Sequence, residues 1–162
     1  MMNRTYSRRN FWLRISLVLA AGVLAGLSAA ATDKMDVMAT VHQFVDSFNK
    51  GEVKTVIATC AAQTSIIDEF SPYTWNGAGA CAKWIEDYDA DAKKNGITDG
   101  IVKLGEAWHV DITNDRAYVV IPANYTFKEK GKVVTESKSV ITIALQKSDG
   151  GWRINGWTWS KH

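Results

Sequence analysis

Carboxylates, a cysteine pair and a surplus of tryptophan are the residues of this sequence that could do chemistry. Asp68 ends a short predicted strand and is followed by Glu69, Phe70 and Ser71-Pro72. The plain structural use of an aspartate in that place is to bond the backbone of the turn. On a regular strand Glu106 shares a face with Leu104 and Trp108, where a carboxylate must be paired, protonated or lining a cavity. Gly105 precedes it, and a strand glycine often marks a bulge that would turn Glu106 outward; both readings stand. Cys60 and Cys81 form either a disulfide, worth ~3 kcal/mol, or two buried thiols. No histidine lies at a spacing that would make either cysteine a nucleophile.

Other motifs fail on inspection. Asp87-x-Asp89-x-Asp91 starts like a calcium loop, but its sixth position is Ala92 and its twelfth Thr98, so the ligand set is incomplete. His42, His109 and His162 have no metal-ligand spacing, and no phosphate loop or nucleophile elbow is present. No metal and no cofactor is expected.

The N-terminus bounds the compartment. Arg4, Arg8, Arg9 and Arg14 make a basic start, Ile15 to Leu27 is apolar, and Ser28-Ala29-Ala30-Ala31 supplies small residues for a signal peptidase. Cleavage after Ala31 fits best, with Ala30 the near alternative. An uncleaved anchor is the competing reading, but the apolar run is short of the ~20 residues a spanning helix needs. Ser7-Arg8-Arg9-Asn10-Phe11 resembles a twin-arginine export signal. Residues 1–31 are therefore read as a signal peptide and 32–162 as one domain, periplasmic or secreted and free of the membrane after cleavage.

Nineteen basic residues less four leave fifteen against seventeen acidic ones, a net charge of −2 for the mature part. A weakly acidic domain without a basic run offers no footprint for nucleic acid.

The mature chain reads as helices and then strands. Val37, Met38, Val41, Phe44, Val45 and Phe48 recur at helical spacing, and Gly51 closes that helix. A second short helix is expected over 52–60, with Val53, Val56 and Ile57 inward. A strand over 63–70 leads into a loop rich in Gly and aromatic residues, and a third helix covers 80–95. The rest alternates as strands: 101–113, 117–127, 132–146 and 152–160, separated by short turns. Three helices before an antiparallel meander predict an α+β domain, its helices packed on one face of a curved sheet.

Four segments then carry a resemblance: Phe48-Asn49-Lys50-Gly51-Glu52, Ile67-Asp68-Glu69-Phe70, Trp75-Asn76-Gly77 and Asp149-Gly150-Gly151-Trp152-Arg153-Ile154. In this order and spacing the chain resembles the nuclear transport factor 2-like superfamily, and within it the SnoaL-like domains, over nearly all of 34–160. The resemblance implies a cone-shaped curved antiparallel sheet with three N-terminal helices on one face and a pocket at the open end. Members include isomerases, cyclases and dehydratases as well as proteins with no known reaction, so fold does not settle function. It also implies a homodimer.

By the same resemblance Asp68 stands on the pocket strand, as a general base, with Tyr73 or Tyr125 donating a hydrogen bond to a developing oxyanion. Trp75, Trp84 and Trp108 would surround the mouth with Tyr125 and Glu106, walls that suit a small apolar or aromatic ligand. Equally, such rings could fill the cone themselves. Three functions follow: a small-molecule-binding domain, an isomerase, cyclase or dehydratase using Asp68, or a dimeric association module.

Overall fold

The computed structural model describes residues 31–162; the signal-peptide reading, apart from Ala31, lies outside them. Helix α1 occupies 31–49 and buries Val37, Val41, Phe44 and Val45. Gly51, at φ 69°, ends it. Its amide bonds the Phe48 carbonyl at 3.0 Å and the Glu52 amide bonds the Ser47 carbonyl at 2.9 Å, the paired closure that a left-handed residue permits. Asn49 then docks α1 on the sheet. Its side chain donates to the Val102 carbonyl and accepts from the Val102 amide, both at 2.8 Å, as a neighbouring strand would.

Helix α2 (Val53–Thr59) follows, with Val56 and Thr59 buried. Val53 and Ile57, expected inward, are more than a third exposed because a helix this short turns one narrow stripe to the core. Strand β1 (Cys60–Ile67) pairs antiparallel with β2 (Thr74–Ala78), so the aromatic-Gly segment expected as loop is half of a hairpin. Helix α3 (Ala80–Asn95) buries Ala80, Cys81, Trp84 and Ile85, carries Lys93 and Lys94 in its last turn, and stops at Gly96.

The predicted strand 101–113 is two strands, β3 (Ile97–Leu104) and β4 (His109–Thr113), both laid on β5 (Arg116–Glu129). They part at Gly105. Its amide bonds the Pro122 carbonyl at 2.8 Å, and a Cβ there would meet the Pro122 ring at 2.9 Å. Strands β6 (Lys132–Ser148) and β7 (Gly151–Ser160) complete the meander. The sheet order is β2-β1-β7-β6-β5-β3, with β4 also on β5. One pairing departs from the expected antiparallel pattern: β1 runs parallel to β7, which the whole intervening chain allows it to reach. The result is a curved, unclosed, mixed sheet of seven strands holding three helices, the expected cone.

Two irregularities shape that cone. In β6 the register against β5 shifts between the pairs Ala123↔Ser139 and Tyr125↔Glu136, with Lys138 at φ 63° and its amide bonded to Asn124 Oδ1. In β7 it shifts beside Asn155, between Leu145↔Ile154 and Ala144↔Gly156. Each bulge bends its strand and exchanges the residues that face inward.

Candidate functional site

The concave side of the sheet, helices α1 and α3 and the β1–β2 loop line a cavity of about 80 Å³. A single water needs roughly 10–15 Å³ on a comparable scale, so the space is a narrow slot for a small group. Aromatic rings wall it. Phe44 and Phe48 come from α1, Trp84 and Tyr88 from α3, Tyr125 from β5, and Trp157 and Trp159 from β7. The rings support one another: Trp84 meets Trp157 edge-on at 4.8 Å and Phe48 meets Tyr88 at 5.0 Å. The β7 bulge makes this wall. Trp152 and Ile154 face inward before Asn155, and Trp157 and Trp159 do so after it. The Trp157 Nε1–H is buried and has no acceptor.

Polar groups enter from three directions. Asp68 and Glu69 follow β1, in a loop pinned by the Asp68 amide on the Tyr73 carbonyl at 3.1 Å. Trp84 Nε1 donates to one Asp68 oxygen at 2.8 Å, and the Glu69 amide donates to the other at 2.8 Å. Burial nonetheless pushes the Asp68 carboxyl above its ordinary range, and the nearby Glu136 adds to this; the two hydrogen bonds oppose it. The Tyr88 and Tyr125 hydroxyls lie 2.6 Å apart. Burial raises both phenols, so they remain neutral donors. Glu136, cross-strand from Tyr125, is only 9% exposed and is bonded by Lys161, which also reaches Glu69 at 3.3 Å. Burial first, then Glu136, holds Glu69 up at about 7, against the pull of Lys161. Among the described residues no group of three His, Cys, Asp or Glu side chains is placed to hold a metal ion.

A helix-wrapped cone with its pocket at one end matches a known family over the same stretch: the SnoaL-like domain profile covers residues 37–160. The chain belongs to the SnoaL-like family. No curated protein sequence matches it. Solved structures share its fold. A nuclear transport factor 2-like protein with a cystatin-like fold from Novosphingobium aromaticivorans superposes with a TM-score of 0.69 at 15% identity, over 85% of this chain and 87% of the other. A nuclear transport factor 2-like superfamily protein from Salmonella enterica gives 0.69 at 14% identity, over 82% and 92%. A ketosteroid isomerase-like protein from Erwinia carotovora gives 0.60 at 21% identity, over 76% and 92%. At these identities the likeness is one of fold alone.

Within this SnoaL-like domain the residues singled out from the sequence divide. Asp68, Trp84 and Tyr125 meet at the slot. Four others do not line it. Tyr73, the last residue of the loop, is 58% exposed, at φ 71°. Trp75 is buried behind the wall between β2 and α3, its ring tilted against Phe70 at 5.0 Å and its Nε1 donating to Asp87 at 2.9 Å. Trp108 is 60% exposed, and Glu106 is exposed beside it, because the break at Gly105 releases both from the strand face.

Cys60 and Cys81 are bridged, tying the start of β1 to the first turn of α3. The residues that sequence reasoning missed are Tyr88, Glu69, Glu136, Trp157, Trp159 and Lys161. Tyr88 was legible as a member of the inward face of α3. Glu136 and the tryptophans of β7 were hidden by the two bulges, which reverse the alternation that would have assigned them.

Proposed function

We propose that the mature domain is exported and binds a small, flat, largely apolar molecule in the aromatic slot. One observation carries the reading: the cone is walled by rings yet keeps a buried Trp157 donor with no acceptor and a carboxylate, Asp68, in its wall. Apolar walls with a few convergent polar groups are the ordinary build of a ligand site. The small volume favours a single ring or a similarly thin group. Trp84 and Trp157 form the wall, so an occupant changes their fluorescence. Indole and 1-naphthol, titrated into the purified protein, are expected to quench or shift that emission saturably. Absence of any saturable change with either would sink the reading. Native mass of protein recovered from the periplasm tests export, through the loss of residues 1–31, and the expected homodimer.

A second reading is favoured by the state of Asp68. A wall carboxylate pushed up by burial is a better base than one in water, and the Trp84 bond keeps its ionised form accessible. The Tyr88–Tyr125 pair supplies a neutral hydroxyl in the same wall. Such a site can remove a proton next to a carbonyl while a hydroxyl stabilises the enolate, an isomerase-type step. The isomerase-like name of one structural neighbour agrees with it. Exchange of α-protons of a small cyclic ketone in D2O, faster than in buffer and abolished by Asp68→Asn, is the expected result. Exchange that survives that substitution removes Asp68 from the role.

A further inference from the structure

The acidic groups at the slot exceed what a neutral ligand would use. Glu69 comes from the β1–β2 loop and Glu136 from β6 immediately before its bulge. Lys161, past the end of β7, is bonded to both. Asp68 stands next in the chain to Glu69 and close enough to Glu136 to feel its charge. When all are ionised, three carboxylates face one ammonium. The Glu136 side chain is 9% exposed, and its Oε2 is wholly buried without a donor. Glu69 and Asp68 line the same cavity as the rings of Trp84, Trp157, Trp159 and Tyr125. Ring faces attract cations, more strongly where water is excluded.

We propose that the slot selects an organic cation: a small aromatic or alkyl amine, its body between the rings and its ammonium at the Glu69–Glu136 rim. This rests on the reading of the slot as a ligand site. In the empty protein burial first, and then Glu136, hold Glu69 up at about 7, so near neutral pH it keeps its proton part of the time. An arriving ammonium favours the ionised form of Glu69, and the proton leaves to solvent.

The groups facing Glu69 are Glu136 from β6 and Lys161 beyond β7, with Asp68 on its own loop and the neutral Tyr125 on β5. Lys161 favours ionisation of Glu69 and the carboxylates oppose it. Affinity for an amine therefore rises with pH through about 7.

The test is calorimetry on the purified protein with benzylamine and with benzyl alcohol, which differ in charge but scarcely in shape. Benzylamine is expected to bind about tenfold or more tighter than the alcohol. Its binding at neutral pH is expected to release about half a proton, seen as a heat that changes with the ionisation enthalpy of the buffer. In Glu69→Gln both the preference and the proton release shrink. Equal binding of the two probes, or a preference unmoved by Glu69→Gln, overturns the cation proposal and leaves the ligand site standing. Failure of both probes, together with indole and 1-naphthol, overturns the ligand site itself and this proposal with it.

Discussion

Replacing Glu69 with glutamine is expected to make the domain more stable at pH 8 and to change little at pH 4.5. Glu69 titrates at about 7 in the fold against an ordinary 4.5, chiefly because of burial and then of Glu136. The folded state thus holds this proton more tightly than the unfolded chain does. For a carboxyl raised in this way, its contribution is fully present below 4.5 and is lost as pH climbs through about 7. Taken whole, the difference corresponds to about 3 kcal/mol. Glu69 is partly open to water, and screening reduces the expected loss to about 1 kcal/mol, or about 3 °C in melting temperature.

Glutamine carries no charge, and its amide can donate to the unpartnered Glu136 Oε2. The assay is urea unfolding of both proteins at pH 4.5, 6, 7 and 8 with the disulfide intact. Asp68, also raised, adds a decline of the same sign in both proteins, so the difference between them isolates Glu69. Wild-type stability that stays level or rises from pH 4.5 to 8 would refute the reasoning. So would a variant that declines as steeply as the parent.

Other substitutions probe the remaining parts. Trp84→Phe keeps a ring in the wall but removes the donor to Asp68 Oδ2. It is expected to cost about 1–3 kcal/mol and to push the Asp68 carboxyl further up, followed by carbon-detected NMR titration. Gly100→Ala would place a Cβ 2.5 Å from the Tyr125 hydroxyl oxygen and 3.1 Å from that of Tyr88. The tyrosines must move, so a loss of about 1–2 kcal/mol in urea unfolding and a weakened fluorescence response to indole are expected. Serine at both Cys60 and Cys81 opens a cross-link that spans 21 residues. A loss of about 3 kcal/mol is expected, and equal stability with and without reductant in the parent would contradict it.

The helices were legible because their signals are local. The stripe from Val37 to Phe48 and the glycines at 51 and 96 fix α1 and α3 within a residue or two. The meander was legible where alternation continues unbroken, as from Ala117 to Ala123 in β5. What failed depends on partners distant in sequence. Trp75 and its neighbours form a strand only because β1 is there to pair with them. Glu106 and Trp108 leave the face because the Gly105 backbone is bonded to Pro122, seventeen residues on.

The same bulges that hid the site also build it. With unbroken alternation, the parity that buries Ile141, Ile143 and Leu145 would send Glu136 to the outer face of β6, away from Tyr125. Likewise the parity that buries Trp152 and Ile154 would turn Trp157 and Trp159 out of the cone. One extra residue in each strand reverses both. It sets a carboxylate beside Tyr125 and two indoles opposite α3. A bulge also sharpens the local bend, and a sheet must bend to form a cone at all. Curvature and pocket lining therefore come from the same two insertions. Deleting Lys138 restores the alternation of β6 while leaving its apolar end paired with β7. The deletion takes out the extra residue and keeps Glu136 opposite Tyr125 on the inner face, so the decline of stability with rising pH that Glu69 contributes is expected to persist in urea unfolding. Loss of that decline would refute this and mean that the bend made by the bulge, and not only the face that Glu136 takes, keeps Glu69 raised.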